Sequence, residues 1–133
     1  MQSERGGAAA GRQRPLVCVV DDDESVREAL PDLLGEFGYA SLAFASAEEF
    51  LASDRIRDAD CLILDVAMPG MTGPELHLEL KRRGHATPAI FITAHTDPAL
   101  FPRLIEQGAV ECLFKPFSDV ALRDAVVTAL ATN

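Results

Sequence analysis

Five short apolar runs recur along the chain, each followed by a longer segment whose apolar residues fall at helical spacing. The runs are Leu16 to Val20, Ser41 to Phe44, Cys61 to Val66, Ala89 to Thr93 and Val110 to Phe114. Strands that alternate with helices in this way predict an α/β domain with a parallel sheet between two helical layers, a three-layer sandwich. The first, third and fourth runs are almost unbroken in hydrophobicity, as strands covered on both faces must be. Polar residues interrupt the second and fifth, which are expected at the sheet edges.

The helical segments carry their own signals. Val26, Ala29, Leu30, Leu33, Leu34 and Phe37 form one i, i+3, i+4 stripe for the first helix. Ser46 with Glu49, and Thr72 with Glu75, have capping-box spacing and are expected to open helices 2 and 3. Ser118 is the expected N-cap of a last helix that buries Leu122, Val126, Ala129 and Leu130. Pro98 and Pro102 disturb the fourth. A helix running from Pro98, with Asp97 as its N-cap, would lose a backbone hydrogen bond at Pro102, so helix 4 is expected to start late or to be broken.

A length of 133 residues suits one domain. Residues 1–14 are rich in Gly, Ala and Arg without periodicity and are expected to form a mobile tail, leaving 15–133 as the domain. No apolar run approaches the ~18 residues of a membrane span, and no secretory signal is evident, so a cytoplasmic location is the expectation. The net charge of −9 argues against direct nucleic-acid binding by this chain. Cys18, Cys61 and Cys112 lie in separate apolar runs without C-x-x-C spacing, which fits buried reduced thiols.

In open α/β sheets, sites form outside the carboxyl ends of the strands. There the first run meets Asp21-Asp22-Asp23, the third Asp65, the fourth Thr93 and the fifth Lys115. Carboxylates gathered this closely would raise one another's pKa unless a cation compensated, and hard oxygen ligands suit Mg2+. Each residue has a plainer role available: the aspartate run can cap helix 1, Asp65 can start a loop, Thr93 suits a strand and Lys115 a surface. Their joint placement at four strand ends points to chemistry.

The segments VVDDDESVREAL, CLILDVAMPGMTGPEL, PAIFITAH and GAVECLFKPF resemble, in order and over nearly all of Leu16 to Leu130, the response-regulator receiver domains of two-component systems. The likeness is nearest to receivers of the FixJ type, which precede a DNA-binding output domain. It implies a flavodoxin-like fold, with a five-stranded parallel sheet of order 2-1-3-4-5 and five helices. It implies Asp65 as phosphoacceptor, Asp22 and Asp65 as Mg2+ ligands with the Ala67 backbone carbonyl, and Asp21 acting through metal-bound water. Thr93, Ala94 and Lys115 take the places that recognise the phosphoryl group, and a cis Lys115–Pro116 peptide is expected. Ala67 and His95 occupy the positions bordering the path of hydrolytic water. Cys112 stands where receivers commonly carry a switching Tyr or Phe. The implied partners are a sensor histidine kinase or phosphotransfer protein, and a second copy through the helix 4, strand 5 and helix 5 face. No catalysis beyond self-phosphorylation and dephosphorylation is implied. Rival readings are a receiver-shaped module that is not phosphorylated, a phosphatase using Asp21-x-Asp23, and a flavin carrier. The last is disfavoured because three aspartates would repel its phosphate.

Overall fold

The computed structural model describes residues 14–94 and 97–132. Its elements alternate as β1 (Leu16–Val20), α1 (Glu24–Glu36), β2 (Ala40–Phe44), α2 (Ala47–Ala52), a 3-10 turn (Ile56–Asp58), β3 (Cys61–Asp65), α3 (Gly73–Arg82), β4 (Ala89–Thr93), α4 (Leu100–Gln107), β5 (Glu111–Phe114) and α5 (Asp119–Ala131). The strands pair in parallel in the order β2-β1-β3-β4-β5. Every residue of β1, β3 and β4 is buried, whereas β2 and β5 carry the exposed positions expected of edges. Strand limits differ from the apolar runs by one residue at Ala40, Val66 and Val110. Val66 and Val110 nevertheless still donate to Ile92 and Ala89 carbonyls, so hydrophobicity overran the strand only where the ladder itself tapers.

Alternation of side chains across the sheet divides the core in two. Cys18, Val20, Leu62, Leu64 and Phe91 face α2, α3 and α4, packing on Phe50, Leu76, Leu80 and Leu104. Val17, Val19, Ile63, Ile90 and Ile92 face α1 and α5, packing on Leu30, Leu34, Leu122 and Val126. The three cysteines are buried free thiols, and burial pushes Cys18 and Cys61 up to about 12. No described helix is long and apolar enough to cross a membrane.

Most helix signals hold, with three corrections. Ala29 is exposed rather than part of the α1 stripe, whose buried side is made by Leu30 and Leu34 with Val26, Leu33 and Phe37 partly buried beside them. Thr72 and Glu75 form a full capping box, but Glu49 reaches past Ser46 to the Ala45 N–H, leaving only the Ser46 half of the second. Asp97 does not cap α4. It accepts from Ala99 N–H in a turn of its own, and α4 begins at Leu100 behind Ala99 with no side-chain cap. The late start places Pro102 in the first turn, where an N–H would have no intrahelical partner. Residues 1–13 of the expected tail lie outside the described residues.

Candidate functional site

Parallel pairing brings the ends of β1, β3, β4 and β5 to one edge of the sheet. Asp21 follows β1 and is wholly buried; Asp65 ends β3 and Thr93 ends β4, both buried. Asp22 is exposed beside them, and carboxylate oxygens of Asp21, Asp22 and Asp65 lie within 4.8 Å of one another. Lys115 follows β5 through a backbone bond to the Thr93 carbonyl of 2.8 Å, and its peptide to Pro116 is cis. Thr93, Lys115 and the three aspartates thus converge as expected. Ala67 and Ala94 are exposed in the loops after β3 and β4. His95 lies outside the described residues. Cys112 is buried opposite Phe91 on β4, among the side chains facing α4, so no ring occupies that position.

Electrostatics ties these groups together. Burial, and then the charge of Asp21, hold the Asp65 carboxyl well above the usual carboxylate range, against the opposing pull of Lys115. Burial works against the Lys115 charge, but its hydrogen bond to Asp21 and the Asp21 and Asp65 charges outweigh it, so the ammonium is held above its ordinary value. Lys115 Nζ donates to Asp21 Oδ2 at 3.0 Å and stands 3.8 Å from Asp65 Oδ1. Three carboxylates sharing one ammonium leave negative charge uncompensated at a spot open to water through Asp22. This all-oxygen donor set fits a hard divalent cation.

Asp23 takes no part in the cluster. Its carboxylate accepts from the Ser25 N–H and Oγ as the N-cap of α1, which removes the Asp21-x-Asp23 pair that a phosphatase reading needs.

Sequence patterns did not foretell several supports. Arg27 donates from α1 to the Asp21 carbonyl at 3.0 Å. Glu48 of α2 accepts from Met71 N–H at 3.0 Å, across the loop after β3. Gly73 lies so close to the strand that a Cβ would stand 2.1 Å from the Asp65 carbonyl oxygen. Only the last had a signal in the sequence: a glycine at the first helical position, where a better helix former would otherwise serve. At the other end of the sheet a cleft of about 740 Å³, lined in part by His77, Lys81, His85, Val110 and Thr128, shares no residue with the carboxylate cluster.

Comparison with known proteins agrees with this geometry. The model of the response regulator receiver domain matches residues 17–127. Nodulation protein W of Bradyrhizobium diazoefficiens is 42% identical over 125 residues, covering 94% of this chain and 55% of that protein. The transcriptional regulatory protein FixJ of Azorhizobium caulinodans is 41% identical over 117 residues, covering 88% of this chain and 56% of that protein. The chain therefore spans about half the length of these curated relatives. Among solved structures, FixJ-N superposes with a TM-score of 0.81 at 35% identity, covering 92% of this chain and 98% of that one. The response regulator StyR gives 0.83 at 44% identity, covering 91% and 61%. The chain belongs to the family of response regulator receiver domains of two-component systems.

Proposed function

We propose that this receiver domain is a phosphorylation switch in which Asp65 accepts a phosphoryl group from a phosphohistidine of a sensor kinase or phosphotransfer protein. One observation carries the reading: Asp65 ends a wholly buried strand with Asp21 and Asp22 on one side and Lys115 on the other. An Asp65 carboxylate oxygen attacks phosphorus as the P–N bond to the donor imidazole breaks, leaving an acyl phosphate on Asp65 and the nitrogen's electron pair on the donor. Asp22, Asp65 and the Ala67 carbonyl would hold Mg2+, with Asp21 acting through bound water. Bound there, Mg2+ supplies positive charge to the phosphoryl oxygens and relieves the repulsion among the carboxylates. Lys115 turns from Asp21 toward the same oxygens, and Thr93 with the adjoining Ala94 N–H donates to them.

Ala67 places only a methyl group beside the new phosphoryl group, so nothing there orients an attacking water. Slow hydrolysis follows, and Ala67→Asn should hasten it. The switched surface is the α4–β5–α5 face, where Phe101, Ile105, Phe114 and Val120 are exposed, and its occupant is a second copy of the chain. Any output function of a longer protein would be controlled through that face.

Incubation with a small phosphodonor and Mg2+ tests the reading by intact mass. The wild type should gain one phosphoryl group, Asp22→Asn should gain it only at higher Mg2+, and Asp65→Asn should gain none. Undiminished labelling of Asp65→Asn would remove Asp65 from its role.

A further inference from the structure

The carboxylate cluster is built on two loops, one after β1 and one after β3, and a single unit touches both. Asp21 N–H donates to the carbonyl of Phe44, the last residue of β2, at 3.1 Å. The chain then turns through Ser46, which caps α2, and Glu48 in the first turn of α2 reaches the loop after β3. Its Oε2 accepts from Met71 N–H at 3.0 Å and lies over Gly70, where a Cβ would come within 2.7 Å of it. Gly70 has φ +73, so this contact needs glycine both for its backbone and for the space. The unit itself is firmly seated: Phe50 of α2 is fully buried and meets Phe44 edge-on, with ring centroids 5.1 Å apart.

The loop after β3 is tied to the strand at its start and to α3 at its end. Val66 N–H still follows the strand ladder to the Ile92 carbonyl, and Thr72 begins the capping box of α3. Between these, the Ala67 N–H donates to the Asp65 carboxylate and Met68 is buried in the core, while beyond Gly70 the backbone is held by the Met71 side chain on the core and by the Glu48 bond. Glu48, engaged with Met71 N–H, is not among the clustered carboxylates, which are Asp21, Asp22 and Asp65.

We infer that Glu48 is a positioning residue: by clasping Met71 and Gly70 it sets the Ala67 carbonyl against the Asp21–Asp22 loop, and so sets the cation affinity of the site. The inference rests on the reading of that cluster as a divalent-cation site. What matters is the acceptor oxygen at Met71 rather than the negative charge, because the amide of glutamine can keep the bond.

Glu48→Ala and Glu48→Gln separate these causes. Mg2+ is titrated into each protein with amide resonances as the signal, and the exchange rate of the Met71 amide is measured without metal. Glu48→Ala should weaken Mg2+ binding about five- to tenfold, in the range found when a group supporting metal ligands is lost. It should also speed Met71 exchange, with the urea midpoint little changed. Glu48→Gln should stay within about twofold of the wild type in both. Equal weakening in the two variants would assign the effect to charge and overturn the positioning role, as would wild-type affinity in Glu48→Ala. A wild type that binds no Mg2+ would instead sink the cation reading itself, and the Met71 exchange rates would still report whether Glu48 holds the loop.

Discussion

Lys115 is hydrogen-bonded to Asp21, at 3.0 Å, and only approaches Asp65, at 3.8 Å. In this state the ammonium neutralises the wholly buried carboxylate and leaves the more accessible one to face an incoming group. On the proposed function Lys115 would have two competing duties, one in the resting protein and one after phosphorylation.

Replacing Lys115 by methionine should separate them. Asp21 would keep its burial and lose its cation, destabilising the metal-free protein by about 1–3 kcal/mol, less than for a fully buried pair because Lys115 is partly exposed. Mg2+ would then bind more tightly, having no ammonium to displace. Urea unfolding in EDTA and in excess Mg2+ checks this: the deficit should be large in the first and shrink in the second.

Gly73→Ala tests the junction between α3 and the site. Alanine is the better helix former by about 1 kcal/mol, so propensity alone would stabilise the protein. The new methyl would, however, meet the Asp65 carbonyl oxygen, which cannot withdraw without breaking β3. A net loss of about 2–3 kcal/mol is expected. Chemical denaturation measures it, and a gain in stability would contradict the close approach.

His77 makes the protein acid-sensitive. Gln107 Nε2 lies 3.1 Å from the Pro74 carbonyl and 2.9 Å from His77 Nδ1. The carbonyl can only accept, so the amide nitrogen donates to both and His77 Nδ1 carries no proton. Burial, helped by the Lys81 charge, brings His77 down from 6.5 to about 4. The unfolded chain therefore binds a proton that the folded one refuses. Stability is complete above about pH 6.5 and declines as pH falls toward 4. The loss should reach about 1–2 kcal/mol, below the full shift because the neighbouring cleft admits water. His77→Leu should remove this part of the slope when unfolding is followed at both ends of the window.

The fourth helix buries the fewest residues of the five α-helices and is the expected site of response. Of its residues only Leu104 is buried, no side chain caps its start, and Phe101 and Ile105 are exposed. Hydrogen exchange should find residues 97–107 about tenfold or more less protected than α3 in the free protein, and altered by a phosphoryl mimic. With Cys112 in place of a ring, Cys112→Ala should leave that alteration largely intact. Strong protection that the mimic leaves unchanged would refute both statements.

Much of this was legible in the residues themselves. The three central strands announced themselves because burial on both faces demands uninterrupted hydrophobicity, and the site followed from where polar residues end those runs. Thr72 and Ser118 could be read as caps because a cap is local chemistry. Asp97 could not, since whether a side chain closes a helix or a turn depends on where Pro102 can be tolerated. Glu48, Arg27 and Gln107 were invisible for a related reason: each acts through a backbone group outside its own helix, and backbone groups leave no mark on composition or periodicity.

The contact between Gly73 and Asp65 has a mechanical consequence. Helix α3 stands directly behind the carbonyl of Asp65, like an abutment behind an anvil, so the backbone of that residue has nowhere to recoil. Strain created at its carboxylate must leave by another route. The flanks offer one, through Thr93 and Lys115, whose backbones are joined by a 2.8 Å bond and lead into α4 on one side and α5 on the other. A glycine chosen for its lack of a side chain thereby decides the direction in which the domain can yield.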